Sequence, residues 1–385
     1  MQIADRMNHI PFTPIRKIFE EAGRREQMGE KVIHLEMGRP DFDTPDHIKA
    51  AAGRALEKGQ VHYTSNYGLP ELRSAIAAKF LRDNALSYDP EKEIIVTLGA
   101  TEGIFISMMA LLNPGDEVLI PSPAFPSYAR TAYMAGAVPV QVPLSEGRGF
   151  LPRTDDFTSL LTARTRMLVI NTPNNPTGAV YPAEVLAEVA GLADDNDLTV
   201  LSDEIYEKNI YGTQRHVSIA TFPGMKKRTI TLNGLSKSHA MTGWRLGYLG
   251  ACAKCVAALI RIKQYATVCA TSFAQWGAVA ALDGSQECVA QMTAEFDRRR
   301  LMVIRRLEAM PGISFVKPQG AFYVFVNVAK LKKSPRDIAM GLLDEAKIAV
   351  VPWGEAHIRI SYANSMENLS TAMDAMAEVL GRWRR

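Results

Sequence analysis

From about residue 94, short runs of β-branched and aliphatic residues alternate with longer stretches whose apolar residues recur at helical spacing. This alternation is typical of βα units and predicts an α/β fold with a mostly parallel sheet. Buried strands are predicted at EIIV (93–96), EVLI (117–120), RMLVI (166–170), LTVL (198–201) and TITL (229–232), with helices at TEGIFISMMALL (101–112) and AEVLAEVAGLADDN (183–196).

The pattern changes after roughly Leu282, where a charged helical stretch (295–310) leads into GAFYVFVNV and later IAVV and IRISY. These segments predict a smaller α+β domain that N-terminal residues complete. A chain of 385 residues also exceeds the size at which one hydrophobic core usually keeps growing. The predicted domains are an N-terminal arm that belongs partly to the small domain (1–34), a large domain (35–282) and a small C-terminal domain (283–385).

The composition excludes several classes of protein. A net charge of +3 with 22% charged residues gives no reason to expect nucleic-acid binding, and the apolar runs are too short for a membrane span. The first residues lack the apolar core of a secretory signal, so a cytoplasmic protein is expected. The four cysteines fit a reducing compartment, and CAKC (252–255) has no second half-site, so no metal is expected.

Unusual polar residues follow four of the predicted strands. These segments are GATEG (99–103), NTPNNPTG (171–178), SDEIY (202–206) and NGLSKS (233–238). In open parallel sheets, ligands bind beyond the carboxyl ends of the strands, where helix N-termini also point. Taken singly, each segment has a plain structural explanation as a turn, a loop, a helix cap or a solvated lysine. Their shared position at one edge favours a single composite site.

The groups at this edge suit a flat, phosphorylated aldehyde. The amine of Lys237 can form a Schiff base with the aldehyde, and the small neighbours Ser236 and Ser238 leave the carbonyl carbon accessible. A carboxylate that faces a ring nitrogen keeps it protonated, so that the ring accepts electrons from a substrate carbanion. Asp203 is the candidate for that carboxylate.

Two further parts of such a ligand also find candidate partners. Tyr206 and Asn175 offer a phenol and an amide for a phenolate oxygen on the ring. A phosphate needs backbone N–H groups at a helix start together with a fixed cation. Ala100, Thr101 and Arg245 can supply these.

The motifs in their order resemble fold-type I aminotransferases of class I/II, which use pyridoxal 5′-phosphate (PLP). The resemblance covers nearly the whole chain and implies that the large domain binds PLP. The segments that carry it are LEMGRPDFDTP (35–45), HYTSNYGLPELR (62–73), PSPAFPSY (121–128), TPNNPTG, SDEIY, SKSHAMTGWRLG, GAFYVF and IRISYA.

The resemblance implies roles for further residues. Phe125 is expected to stack on the cofactor ring, and Tyr63 to reach the cofactor phosphate of a neighbouring subunit, which implies a homodimer with shared active sites. Arg359 is expected to bind the substrate α-carboxylate in a two-pronged pair, with Gly38 and Asn175 also at the substrate. Without the resemblance, Phe125 reads as a core residue and Arg359 as part of a solvated strand face.

The expected reaction transfers the amino group of an L-amino acid to a 2-oxoacid such as 2-oxoglutarate. Aspartate is the first candidate donor, and aromatic or other neutral amino acids are also possible. Two alternatives stay open: a C–S lyase that performs β-elimination with the same machinery, and a non-catalytic PLP-binding regulatory domain.

Two departures from the family pattern bear on this expectation. Gly234 stands where many relatives have a serine, so Ser236 is a candidate to replace that phosphate donor. The stretch VVPWGEAHIRISYA (350–363) is also several residues shorter than the usual loop before the arginine strand.

Overall fold

The computed structural model describes residues 1–383, in which α-helices and β-strands alternate along most of the chain. The strands are β1 (Ile33–His34), β2 (Ile94–Thr97), β3 (Glu117–Ser122), β4 (Val138–Pro143), β5 (Thr165–Asn171), β6 (Thr199–Asp203), β7 (Thr229–Gly234), β8 (Gly247–Gly250), β9 (Ser314–Phe315), β10 (Tyr323–Asn327), β11 (Ile348–Ala349), β12 (Val351–Trp353) and β13 (His357–Ser361).

The helices connect these strands and cover the sheets. They are α1 (Pro14–Gln27), α2 (Asp46–Glu57), α3 (Pro70–Asn84), α4 (Ala100–Leu111), α5 (Ser127–Met134), α6 (Thr154–Thr158), α7 (Ala183–Asp195), α8 (Ala253–Ala266), α9 (Ser272–Asp283), α10 (Glu287–Glu308), α11 (Pro335–Ala346) and α12 (Met366–Trp383). Among the helices of residues 1–383, none has the length and apolar character needed to cross a bilayer.

Seven strands form the central sheet, in the spatial order β2-β8-β7-β6-β5-β3-β4. Strand β8 pairs antiparallel with both of its neighbours, and the other pairs in this sheet are parallel. Helices such as α4 and α7 connect the parallel strands and bury their apolar residues against the sheet. The predicted mostly parallel sheet is therefore confirmed.

The five strands predicted from β-branched and aliphatic runs are present in the structure as β2, β3, β5, β6 and β7. Two strands of the same sheet, β4 and β8, were not predicted. The sequence of β4, VPVQVP, contains two prolines, which an edge strand tolerates because its outer N–H groups need no partner. Strand β8 is GYLG, in which two glycines conceal the strand pattern.

A second unit contains both ends of the chain. Strands β12, β13, β10 and β9 form an antiparallel sheet, and β1 near the N-terminus pairs in parallel with β11. One hydrophobic cluster surrounds these strands and includes buried residues from both α1 and α12, such as Ile18 and Leu380. The predicted fold class is confirmed, with a smaller α+β unit built from both chain ends, while the domain limits at residues 34 and 282 remain predictions.

Gly99, Gly234 and Gly247 lie close together where β7 and β8 approach the start of α4. A Cβ atom on Gly247 would lie 2.6 Å from the carbonyl carbon of Gly99 and 2.7 Å from the nitrogen of Ala100. A Cβ atom on Gly234 would lie 3.0 Å from the Leu246 oxygen and 3.1 Å from the Gly247 Cα. Close backbone packing therefore explains why a glycine occupies position 234.

We expect Gly247→Ala to lower the free energy of unfolding by about 1–3 kcal/mol, because the added methyl group would displace the backbone at the start of α4. Thermal unfolding followed by circular dichroism measures this loss. Gly191→Ala is the matched control, since no atom lies within 4 Å of a Cβ at that exposed position in α7, and it should stabilise the protein slightly. Equal stability changes in both variants would contradict the packing argument.

Candidate active site

A cavity of about 250 Å³ lies at the carboxyl ends of β5, β6 and β7, between the central sheet and β13. Every residue predicted for the site lines this cavity except Tyr63, whose side chain is exposed in the single chain. Arg39, which follows Gly38 and could meet a side-chain carboxylate of the substrate, is exposed and lies outside the lining. The lining residues are Ile15, Gly38, Ala100, Thr101, Ile104, Phe125, Tyr128, Asn171, Asn175, Asp203, Ile205, Tyr206, Ser236, Lys237, Thr242, Arg245, Tyr323 and Arg359.

The parallel register of the strands brings the polar groups together. Asn171 is the last residue of β5 and pairs with Asp203, the last residue of β6. Strand β7 runs parallel to β6 and ends at Gly234, three positions before Lys237. Side chains that are distant in the sequence therefore reach the same edge of the sheet.

Asp203 is buried and firmly oriented. Its Oδ2 atom accepts a hydrogen bond from the Tyr128 hydroxyl at 2.7 Å, and its Oδ1 atom accepts one from the Ile205 backbone at 3.2 Å. The Asn171 side chain donates to the Asp203 carbonyl oxygen at 3.0 Å. Burial raises the pKa of Asp203 to about 6, although the bond from Tyr128 opposes this shift.

Lys237 extends into the cavity from the turn after β7. Its Nζ atom donates a hydrogen bond to the Gly38 carbonyl oxygen at 2.5 Å and lies 6.0 Å from the centre of the Tyr206 ring. Burial, followed by repulsion from Arg359 and Arg245, lowers the pKa of Lys237 to about 8. The amine is therefore much closer to its neutral, nucleophilic form than an exposed lysine.

Tyr206 and Tyr323 form a buried pair of phenols. Their hydroxyl groups are 2.8 Å apart and share a hydrogen bond across the boundary between the central sheet and β10. Burial raises the pKa of Tyr206 well above its ordinary value, so this group stays protonated and can donate to an anionic oxygen.

The first turn of α4 forms one end of the cavity. Gly99 precedes it with a φ of +73°, a conformation that favours glycine. The cavity-lining residues Ala100 and Thr101 follow directly, and backbone N–H groups at a helix start attract anions. Arg245 lies beside this turn, where its guanidinium donates to the Thr242 oxygen at 3.1 Å and the Leu98 oxygen at 3.4 Å.

Arg359 on β13 is a buried cation with only 1% of its surface exposed. Its Nη1 atom donates to Asn175 Oδ1 at 3.0 Å, and its Nη2 atom donates to the Glu36 carbonyl oxygen at 2.6 Å. The guanidinium also lies 4.4 Å from the centre of the Tyr323 ring. Within residues 1–383 it forms no ion pair, and its Nε atom has no hydrogen-bond partner. A buried, unpaired guanidinium suits a carboxylate ligand.

Several contributors to the site were not predicted from the sequence. Tyr128 and Asn171 hold Asp203, and Tyr323 holds Tyr206. All three lie within motifs that the sequence analysis identifies, namely PSPAFPSY, NTPNNPTG and GAFYVF. The motif signal could have identified them, but their partners are distant in the sequence.

Comparison with known proteins identifies the family, because the family model described as aminotransferase class I and II matches residues 30–376. The chain belongs to this family. An aspartate aminotransferase from Pyrococcus abyssi is 44% identical, with 99% of this chain and 98% of that protein covered. An aromatic-amino-acid aminotransferase from Thermococcus litoralis is 43% identical over the same shares of both chains.

Solved structures of similar proteins have the same fold. The Thermus thermophilus aspartate aminotransferase with maleate matches with a TM-score of 0.94 and 38% identity, over 98% of this chain and 100% of that chain. A Pyrococcus protein matches with a TM-score of 0.95 and 44% identity, over 99% of both chains. The predicted family, enzymatic activity, PLP dependence and amino-group transfer are therefore confirmed, and the non-catalytic alternative is not supported.

The cavity of this aminotransferase fits PLP. It offers an amine, a carboxylate, a pair of phenols and a helix start with a neighbouring arginine, which match the aldehyde, ring nitrogen, ring oxygen and phosphate of the cofactor. Close glycine packing also shapes the end of the cavity at the start of α4, since a Cβ on Gly99 would lie 2.5 Å from Arg245 Nη2.

The lowered pKa of Lys237 predicts a pH-dependent stability of the cofactor-free protein. Burial and the nearby arginines disfavour the charged form of Lys237 in the folded state, so at low pH, where the amine is protonated in both states, it destabilises the fold. This penalty is constant below about pH 8 and disappears as the pH rises from 8 to 10.5. Lys237→Met should therefore be more stable than the wild type at pH 7, with a difference that shrinks over this interval. Urea unfolding measures the difference, and a difference independent of pH would contradict the lowered pKa.

Proposed function

We propose that this enzyme transfers the amino group of an L-amino acid to 2-oxoglutarate, with Lys237 as the residue that carries PLP. The observation that supports the proposal is the position of Lys237 and Asp203 in one cavity beside the unpaired guanidinium of Arg359. Aspartate is the first candidate donor, and aromatic or other neutral amino acids are further candidates. Relatives named for aspartate and for aromatic amino acids support both classes.

Each polar group of the cavity is assigned to one part of the cofactor. Lys237 would bind the aldehyde, Asp203 the ring nitrogen, and Tyr206 with Asn175 the ring oxygen. When bound, PLP acts as an electron sink that stabilises negative charge at the substrate Cα. Ring stacking and phosphate binding are assigned to Phe125, Ala100, Thr101, Ser236 and Arg245.

Asp203 would act through its charge and its fixed orientation. Tyr128 and the Ile205 N–H hold its two oxygens in place, so the carboxylate need not reorganise when a ring binds. Its raised pKa of about 6 reflects burial, and a cation against the carboxylate favours the ionised form.

Lys237 would also move protons. An amine with a pKa of about 8 holds and releases a proton near neutral pH, which general acid–base catalysis requires. The hydrogen bond from Nζ to the Gly38 oxygen directs the amine towards the side of the cavity that contains Arg359. There it could take a proton from the substrate Cα and return it elsewhere.

Arg359 would bind the substrate α-carboxylate. Its unpaired charge is buried, so a carboxylate that enters the cavity gains a strong, two-pronged pair. Asn175 holds the guanidinium. Gly38 can bring its backbone close to the same carboxylate, and a larger residue would not fit there because its Cβ would collide with the Tyr323 hydroxyl.

A homodimer completes the proposal. Tyr63 has 88% of its surface exposed in the single chain, and the apolar side chains of Val61, Tyr265 and Val268 are exposed as well. Burying such groups against a second copy would be favourable. A cytoplasmic location is also proposed, supported by four cysteines that form no disulfide within the described chain.

Lys237→Ala should reduce the formation of glutamate from 2-oxoglutarate and an amino donor by roughly a thousandfold or more, because the covalent anchor and the proton carrier are both lost. A coupled glutamate dehydrogenase assay measures this activity, with aspartate, phenylalanine and alanine as donors. The exposed Lys254 provides the control, Lys254→Ala, which should retain activity. A Lys237→Ala variant with near wild-type turnover would disprove the assignment. Faster release of pyruvate from cystathionine without an oxoacid would instead indicate the C–S lyase.

A mixed dimer tests whether Tyr63 acts across the subunit boundary. Tyr63→Phe should weaken PLP binding roughly tenfold or more, because a hydrogen bond to a charged group is lost. In a hybrid of one Tyr63→Phe chain and one Lys237→Ala chain, one site contains neither change. At a PLP concentration that leaves the Tyr63→Phe homodimer mostly empty, the hybrid should therefore show about half of the wild-type activity. Two different affinity tags allow purification of the hybrid. If Tyr63 acted within its own chain, no site of the hybrid would contain both residues, and at this PLP concentration the hybrid would be no more active than the Tyr63→Phe homodimer.

A further inference from the structure

A buried ion pair lies directly behind the first turn of α4. Glu102, in this turn, is 8% exposed, and Lys263, in the last turn of α8, has no exposed surface. Lys263 Nζ lies 3.3 and 3.4 Å from the two carboxylate oxygens of Glu102. Thr267 joins the pair, since its hydroxyl accepts from Lys263 at 3.1 Å and donates to Glu102.

Glu102 also fixes the backbone that leads into the cavity. Its Oε2 atom accepts a hydrogen bond from the Leu98 N–H at 2.5 Å, so the carboxylate folds back under the segment that contains Gly99 and Ala100. This contact holds in place the backbone that leads into the cavity-lining residues Ala100 and Thr101 at the start of α4. Side-chain acceptors at this position of a helix commonly secure the turn before it.

The position of Glu102 creates an electrostatic conflict. The first turn of a helix attracts anions because its N–H groups carry partial positive charge, and a carboxylate beside it cancels that attraction. A doubly charged phosphate bound by Ala100 and Thr101 would be repelled by an uncompensated Glu102, because little water is present to screen the interaction. Lys263, which is not among the lining residues of the cavity, supplies the compensating charge to both carboxylate oxygens.

We propose that Lys263 is a positioning residue for the cofactor phosphate, which neutralises Glu102 so that this carboxylate can hold the α4 turn without repelling the phosphate. The inference rests on the proposed assignment of the phosphate to Ala100, Thr101 and Arg245. It predicts that the pair affects ligands with a phosphate and leaves ligands without one nearly unchanged.

The test compares PLP with pyridoxal, which lacks the phosphate, as ligands of the cofactor-free dimer. Dissociation constants are measured by absorbance and by quenching of protein fluorescence. Lys263→Met should weaken PLP binding about tenfold relative to pyridoxal, because the charge of Glu102 is no longer balanced. A purely structural role would weaken both ligands equally, and that result would overturn the proposal.

Glu102→Gln provides the opposite change. The amide oxygen can still accept from the Leu98 N–H, while Lys263 then adds an uncompensated cation near the phosphate. The preference for PLP over pyridoxal should therefore stay at least as high as in the wild type, and the double variant Glu102→Gln/Lys263→Met should return close to the wild-type preference. A lower preference for PLP in Glu102→Gln than in the wild type would overturn the proposal. This test remains available if the Lys263→Met variant does not fold.

Two controls separate this inference from the proposed site. Lys79 and Glu207 form another buried ion pair, outside the cavity lining, so Lys79→Met and Glu207→Gln should leave the preference for PLP unchanged. Arg245→Met tests the phosphate site itself and should lower the preference. If Arg245→Met lowers it and Lys263→Met does not, the phosphate site stands and the role of Lys263 is wrong. If Arg245→Met has no effect, the phosphate assignment is wrong.

Discussion

The active site depends on the parallel register of β5, β6 and β7. Because Asn171 and Asp203 end neighbouring strands side by side, the amide and the carboxylate reach the cavity at the same level. The turn after β7 then adds Lys237 from the next strand in the sheet. A shift of one residue in this register would turn these side chains to the other face and leave the cavity without its polar groups.

The charges in the cavity define what it can bind. Among the lining residues, Lys237, Arg245 and Arg359 are cationic types, and Asp203 is the carboxylate. Mutual repulsion of these cations contributes to the lowered pKa of Lys237, so the site is most favourable when anions occupy it. A phosphate at the α4 end and a carboxylate at the β13 end would satisfy the two arginines and leave the amine free for chemistry.

The sequence predicted those features that local patterns encode. Strands β2, β3, β5, β6 and β7 have continuous β-branched runs, and their polar ends marked the cavity. Strands β4 and β8 escaped prediction because proline and glycine mask their pattern. The supporting bonds were also out of reach, since Tyr128 is 75 positions from Asp203 and Tyr323 is 117 positions from Tyr206. Such contacts arise only when the sheets pack together, and the role of Tyr63 in a second subunit remains a prediction.

The cavity also lies where the smaller unit meets the central sheet. Three hydrogen bonds cross the boundary inside it: Arg359 to Asn175, Lys237 to the Gly38 oxygen, and Tyr206 to Tyr323. All of these residues except Tyr323 are also proposed to bind the cofactor or the substrate. A ligand that replaced these hydrogen bonds would therefore change how the smaller unit is held against the central sheet. The α4 end of the cavity lacks this freedom, because glycine packing and the Glu102–Lys263 pair fix it against the central sheet and its helices.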